Sequence, residues 1–195
     1  GVDTCTPCEA GKAQPAQGQT SCSLCAVGKW ANVEGSTECS SCPPGSSCPR
    51  EGMSTPEECP IGRYADTKES RSCTSCPAGR YQNSTGSAKC TECRAGTFNS
   101  KIGSVNITDC EVCEAGKYAP QKGSSLCLSC GKDSFTPTAG DHTNCTACPE
   151  GKTTVDDANE SGLGATKCVD ADLPCLAGQY RDSEDRQCKE CGAGF

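Results

Sequence analysis

The stretch CPAGRYQNSTGSAKCTEC, residues 76–93, decides the fold. Cys76 is followed by Gly79 at the third place and Tyr81 at the fifth. A polar, turn-rich run comes next, then Cys90-x-x-Cys93. CEAGKYAPQKGSSLCLSC, residues 113–130, repeats the formula. Nine Cys-x-x-Cys pairs begin at Cys5, Cys22, Cys39, Cys73, Cys90, Cys110, Cys127, Cys145 and Cys188. The first steps are 17 residues, the step from Cys39 to Cys73 is 34, and those up to Cys145 are 17 to 20. A fixed short period marks a repeat array in which each unit mainly touches its neighbours. The long step holds the out-of-pattern Cys48 and Cys59. The expected organisation is cysteine-rich repeats over 1–41, an irregular insert repeat over 42–72, regular repeats over 73–147 and divergent repeats over 148–195. The chain opens on GVDTC and stops at CGAGF in mid-formula, as a mature or excised piece of a longer secreted protein would.

Other positions keep the period. Gly stands three after the second cysteine of nearly every pair, with Asp133 as the exception. Gly enters left-handed backbone without a Cβ clash, so a turn is expected there. Two places on stand Trp30, Tyr64, Tyr81, Phe98, Tyr118, Phe135 and Tyr180, seven of the eight aromatics. One ring per unit is expected to pack on its own disulfide and on the next unit, as a miniature core. A second Gly often sits four before the closing cysteine, amid polar residues that read as hairpin tips. No window carries a sustained 3.6-residue apolar period. The predicted fold is therefore small and disulfide-rich: an elongated array of ~17-residue cysteine-rich repeats, built from short β-hairpins and loops with almost no helix.

Composition says why cysteine dominates. Leu, Ile, Val and Phe together number 19 of 195 residues. Below about 20% such a chain does not bury enough apolar surface to offset its conformational entropy. The 22 cysteines compensate, and cysteine above roughly 8–10% marks a disulfide scaffold in an oxidising compartment. The chain is therefore placed outside the cytosol, extracellular or at the cell surface. The net charge of −7 argues against nucleic acid, whose phosphates select basic surfaces. No apolar run approaches the roughly 20 residues of a membrane span.

Cysteine count alone does not fix connectivity. The period favours joining each second cysteine to the next first one: Cys8–Cys22, Cys25–Cys39, Cys59–Cys73, Cys76–Cys90, Cys93–Cys110, Cys113–Cys127, Cys130–Cys145, Cys148–Cys168 and Cys175–Cys188. Cys42–Cys48 closes the insert, and Cys5 and Cys191 remain. A staggered scheme, first to first and second to second, is the rival.

C-P-x-G-x-Y, a polar hairpin and C-x-x-C resemble the ephrin-receptor-like cysteine-rich repeats. They are also similar to the first half-module of tumour-necrosis-factor-receptor domains. CPIGRYADTKESRSCTSC (59–76) and CPAGRYQNSTGSAKCTEC carry the likeness best, and CPPGSSCPREGMSTPEECPIG (42–62) is a compact variant. The resemblance covers nearly the whole chain. It implies a disulfide-laddered ectodomain of the kind found in animal receptors and in surface proteins of protists and algae. It speaks for the fold and weakly for function, because one fold hosts many roles.

Other chemistry is thin. A redox Cys-x-x-Cys needs a helix N-terminus in a βαβ setting, and loops supply neither. Paired Cys-x-x-Cys also suits zinc, but the sequons and the receptor-like formula favour oxidised cysteines. His142 has no acid–nucleophile set near it in sequence, and the carboxylates of 155–160 and 182–185 read as solvated loops. No catalytic residue, metal or cofactor is expected, and no enzyme. Four Asn-x-Ser/Thr acceptors point to N-linked glycans: Asn83, Asn106, Asn144 and Asn159. Asn144 is compromised because Cys145 occupies its middle place.

Two roles compete. One is a structural rod in an extracellular filament, flagellar hair or cell coat, with copies of itself or other chains of the assembly as partners. The other is the ligand-binding ectodomain of a receptor or surface antigen. The small polar hairpin tips favour the first, since a receptor face concentrates idiosyncratic exposed side chains. The acceptors fall between Asn83 and Asn159, so protein docking is expected at the two ends free of them, with the 42–59 insert the best candidate.

Overall fold

The computed structural model describes residues 6–154 and 163–170, and the backbone of strands Gln179–Arg181 and Cys188–Glu190. Among the described residues the architecture is ten two-stranded sheets in chain order. The sole helical element among the described residues is the 3-10 turn Ile107–Asp109. The residues group into two compact units: Gly1–Glu114 with Tyr118–Leu128 and Gly140–Asn144, and Ala115–Lys117 with Ser129–Ala139 and Cys145–Phe195.

One repeat explains the others. Each opens at the second cysteine of a Cys-x-x-Cys pair, counted here as place 0. Repeats 1 to 8 open at Cys8, Cys25, Cys42, Cys59, Cys76, Cys93, Cys113 and Cys130, and repeat 9 at Cys148. In repeat 5 the amide of Arg80 donates to the carbonyl of Pro77, closing a turn whose third residue, Gly79, has φ +84°. A left-handed third residue is what a type II turn requires. Strand Arg80–Tyr81 follows and pairs with Thr91–Glu92 across the polar tip. Cys76–Cys90 clasps the hairpin. Where Gly is missing the backbone still turns left-handed: Asp133 holds the turn at φ 62°, and Glu69 holds a tip at φ 62°.

Three backbone hydrogen bonds join each of repeats 1 to 7 to the next, and between repeats 8 and 9 one of the three goes from the Asp133 amide to Thr154 Oγ1 instead. In the junction of repeats 5 and 6, Gly79 donates to the carbonyl of Asn99 at 2.7 Å, Gln82 to that of Ser104 at 3.0 Å, and Gly103 to that of Cys76 at 2.7 Å. The same trio recurs between repeats 2 and 3: Gly28 to Cys48, Ala31 to Met53, and Gly52 to Cys25. The segment 42–72, set apart in sequence as irregular, is thus continuous with its neighbours. Ser46–Ser47 pairs with Glu57–Glu58 at the register of Arg80–Tyr81 with Thr91–Glu92. Residues 42–58 are a full 17-residue repeat whose second cysteine has moved from the hairpin's far strand to place 6.

Contacts also skip a repeat, which nearest-neighbour reading of the period does not anticipate. A Cβ added to Gly79 would run into the backbone carbonyl of Gly123, two repeats on. Gly45 meets Gly86 and Gly62 meets Gly103 in the same way. Side chains reinforce the skip: Thr85 Oγ1 donates to Glu58 Oε2 at 3.0 Å and Ser41 Oγ to Glu69 Oε1 at 2.7 Å. Among the described residues, repeats 1 to 7 therefore each lean on their first and second successors.

The core is not made of the rings. Trp30, Tyr64, Tyr81, Phe98, Tyr118 and Phe135 are only half-buried. Trp30 packs on Met53 and the Cys42–Cys48 disulfide of the following repeat, which is the next-unit part of the packing expected of the rings. The deepest places are the opening cysteines of repeats 1 to 8 and place 6 of repeats 2 to 9: Ala31, Cys48, Ala65, Gln82, Asn99, Ala119, Thr136 and Thr154 are all buried. Neighbouring backbones close over this place, so it admits a small side chain or one whose polar atoms are met. Gln82 meets the requirement by donating to the Lys89 carbonyl at 2.8 Å and accepting from Ser84 N–H at 3.0 Å. Asn99, 2% exposed, donates to the Arg80 carbonyl of the preceding repeat and accepts from Lys101 N–H.

Candidate functional surface

Nine disulfides engage the cysteines from Cys8 to Cys168: Cys8–Cys22, Cys25–Cys39, Cys42–Cys48, Cys59–Cys73, Cys76–Cys90, Cys93–Cys110, Cys113–Cys127, Cys130–Cys145 and Cys148–Cys168. These are adjacent pairs, not staggered ones. In repeats 1 to 8, repeat 3 excepted, the opening cysteine sits in the core and its partner beside the far strand is nearer the surface, whereas in repeat 9 Cys148 and Cys168 are both half-buried. The predicted Cys175–Cys188 pair, Cys5 and Cys191 lie outside the described residues. Most loops hold a sequence separation of 14, and closing about 15 residues contributes roughly 3 kcal/mol in the chain-entropy treatment. Redox and zinc chemistry both start from a thiolate, and every cysteine from Cys8 to Cys168 is a disulfide sulfur.

The acceptor asparagines sit in three different settings. Asn83 is exposed at a hairpin tip, where Ser84 Oγ donates to its Oδ1 at 3.3 Å. Asn106 is exposed and caps the 3-10 turn: its Oδ1 accepts from Thr108 N–H at 3.1 Å, and Asp109 Oδ2 accepts from Asn106 N–H at 3.1 Å and Val105 N–H at 3.2 Å. This is a reciprocal capping box. It exists because repeat 6 carries three residues more than the common frame between Ser104 and Cys110. Asn144 is exposed, but Cys145 is tied to Cys130 and Thr146 lies in the strand paired with Phe135. Asn159 lies outside the described residues, as do the carboxylates of 155–160 and 182–185. His142 is half-buried, and its carbonyl receives the Ala119 amide.

Charge is dispersed in exposed pairs such as Lys12–Glu9 at 2.8 Å and Arg80–Glu92 at 2.7 Å, each worth little in water. The Lys12 ammonium, hydrogen-bonded to Glu9, lowers that carboxyl's pKa below the ordinary carboxylate value.

The surface departs from the polar tips expected of it. Ile102, Val105, Ile107, Val112, Leu126 and Leu128 are all exposed within repeats 6 and 7, and Ile102 is 73% exposed. Four of them belong to repeat 6 alone. A cleft of about 320 Å³ opens there, walled by Tyr81, Thr97, Ile107, Val112 and the Cys93–Cys110 disulfide, with Glu92 and Arg94 also lining it. Pro120, Gln121, Ser124, Leu126 and Leu128 line a second depression of about 440 Å³. These apolar side chains lie in the acceptor-bearing stretch, while Leu24, Val33 and Ile61 are exposed in the acceptor-free stretch where docking is expected. The signal for those of repeat 6 was its longer, Ile- and Val-containing spacer. The buried place 6 was also missed; its signal is the recurring Ala, Gln or Asn right after the aromatic.

Residues 62–110 and 116–162 match a family model described as tyrosine-protein kinase ephrin type A/B receptor-like. The two copies cover just under half of the chain. No curated protein matches the sequence.

Proposed function

We propose that this chain of ephrin-receptor-like cysteine-rich repeats is a load-bearing structural segment of a secreted glycoprotein, built into an extracellular filament, flagellar hair or cell coat. The disulfides and the two matched repeats point to an extracellular or cell-surface domain. The observation that carries the structural role is the double tie between repeats. From repeats 1 to 7 three hydrogen bonds reach the next repeat and a turn contact reaches the one after, while a disulfide closes every one of these hairpins but that of repeat 3. Extension then has to break several ties at once, and between covalent clasps only short lengths of chain can be released. The activity is mechanical, with no catalysis and no cofactor, and the partners are copies of the chain or other chains of the same assembly.

Single-molecule pulling tests this. The expected trace has small, repeated length gains under oxidising conditions and one long, weak extension after reduction. A weak, featureless trace with the disulfides intact would count against a load-bearing role. The second reading is a receptor or surface-antigen ectodomain, favoured by the apolar depression at Leu126 and Leu128. A monodisperse monomer that binds one soluble protein through this depression would favour it over the structural role.

A further inference from the structure

We propose that Asn106 is the acceptor of a seated N-glycan, one whose first sugar lies in the cleft of repeat 6 and covers its apolar walls. This rests on the reading of the chain as a secreted glycoprotein.

Three observations converge on one repeat. The acceptor is held in place: Oδ1 is committed to Thr108 N–H at 3.1 Å, and Asp109 closes the box from the other side. That leaves Nδ2 as the amide atom outside the cap, on an exposed residue. Second, both neighbours of the acceptor, Val105 and Ile107, are apolar and exposed, which is unusual for a solvated turn. Third, Ile107 is itself a wall of the cleft that also presents Tyr81 and Val112.

The chemistry of the occupant follows. An N-acetylhexosamine has a C–H face that packs on aromatic and aliphatic side chains, while its hydroxyls and acetamide need polar partners. The cleft offers Tyr81, Ile107 and Val112 to the first, with Glu92 and Arg94 at hand for the second. A sugar on Asn106 is tethered beside this wall, so its effective concentration is on the order of millimolar or higher. A separate protein segment has no such advantage and would have to pass the glycan. Attachment joins Nδ2 to the anomeric carbon of a lipid-diphosphate-linked oligosaccharide. The anomeric carbon–oxygen bond breaks, the diphosphate leaves with its electron pair, and the amide proton passes to a base of the transferase.

Asn83 and Asn144 lack this combination. Asn83 has no capped turn, and Asn144 sits next to the closed Cys130–Cys145 disulfide, two residues before the strand Thr146–Ala147. A glycan on Asn83 is expected to stay free of the surface.

The test uses the whole chain secreted from a eukaryotic host. Peptide mass mapping reads occupancy at each acceptor. Hydrogen exchange at 107–112 and binding of an apolar dye are then compared in three states: intact glycan, glycan trimmed to a single N-acetylglucosamine, and Thr108→Ala. That substitution removes the acceptor motif but keeps the cap, which uses the Thr108 backbone. The proposal expects Asn106 to be occupied, with exchange and dye binding several-fold higher in T108A than in either sugar-bearing state. Trimming the Asn83 glycan in a T108A background should change neither. Occupied Asn106 with equal exchange and dye binding in all three states overturns the seat. Empty Asn106 with Asn83 occupied overturns the proposal and leaves the glycoprotein reading intact, whereas a chain bearing no glycan at all overturns both.

Discussion

Repeat 3 (42–58) and repeat 5 (76–92) make the same hydrogen bonds with different covalent chemistry. Each turn glycine, Gly45 or Gly79, donates to the next repeat's place 6 carbonyl, and each place 6 amide, Cys48 or Gln82, donates to the carbonyl of Ser70 or Ser104. Yet repeat 5 is clasped across its whole hairpin by Cys76–Cys90, and repeat 3 only across its first strand by Cys42–Cys48. In repeat 5 the buried Gln82 ties the hairpin by hydrogen bonds. In repeat 3 that same place is a disulfide sulfur. The frame is therefore set by the left-handed turn, the backbone ladder and a filled place 6. The disulfide stiffens the frame and does not define its register.

The largest effects expected from this comparison come from the turn and the full-hairpin clasp, which are of similar size. Gly79→Ala places a Cβ in left-handed backbone, at about 1–2 kcal/mol, and drives it into the Gly123 carbonyl. We predict a loss of about 3 kcal/mol in local opening free energy, read by hydrogen exchange. Protection should fall in repeats 5 to 7, because the clash spans two junctions. Gly18→Ala is the control: φ is +74° but nothing lies within 4 Å of the new Cβ, so about 1 kcal/mol is expected. Equal losses at the two sites would refute the skip contact as a stabilising element.

The clasps come next. Replacing Cys76 and Cys90 together by Ala opens a loop of about 15 residues, and roughly 3 kcal/mol should be lost in oxidised protein on the loop-entropy argument. Replacing Cys42 and Cys48 together opens a loop of about 7 residues, and the same argument gives a little over 2 kcal/mol. Repeat 3 should nevertheless keep its ladder, because Ala already fills place 6 at Ala31 and Ala65. Lost protection at Ala65, beyond what the repeat 5 pair shows in its own successor, would mean that the Cys42–Cys48 link also sets register.

Gln82→Ala sharpens the comparison at smaller scale. It keeps the volume class of Ala31 and removes two hydrogen bonds to the tip, so about 1–2 kcal/mol should be lost. The change in exchange should concentrate between Ser84 and Lys89. A loss confined to repeat 6 instead would show that Gln82 acts as packing against its successor.

The smallest effect is that of Glu9 and Lys12 on the first turn. The Glu9 carboxyl is lowered in the folded chain by its hydrogen bond and charge contact with Lys12. A depressed folded pKa gives a contribution fully present above the unfolded carboxylate value and lost as pH falls through the folded value. Lys12→Met should abolish this acid-side dependence in repeat 1 and leave the ladder bond from Gly11 to Ala31 protected. A pH titration followed by exchange at Gly11 separates the two.

Much of this was legible because cysteine, glycine and aromatic places repeat with one period. Turn, tip and hairpin register follow from that period. Repeat 3 was obscured because its second cysteine sits at place 6, so a reading anchored on Cys-x-x-Cys loses the frame; Gly45 and Gly52 alone preserve it. The rings of Tyr64 and Tyr81 looked like a core because aromatics usually are one. The short strands leave one side of each ring in water, and the close approach of backbones buries the following residue instead. The skip contacts leave no mark in the period itself, since a 17-residue repeat is compatible with any number of repeats in mutual contact. Whether Asn106 differs from Asn83 was also invisible, because both satisfy the same three-letter rule and only the capping box separates them.

The glycine contact across two repeats has a consequence for how such a gene can grow. Gly45 meets Gly86 and Gly62 meets Gly103, so odd repeats stand on odd ones and even on even. Because each contact reaches only two repeats on, gaining or losing a repeat re-partners the repeats flanking the junction and leaves the rest of the array as it was. Losing repeat 5, for example, would rest the loop bearing Gly103 and Asn106 on repeat 3, which now supports the loop of Gly86. The array is expected to tolerate gains and losses wherever the glycines brought face to face at the new junction still match, and a survey of junction sequences would reveal that constraint.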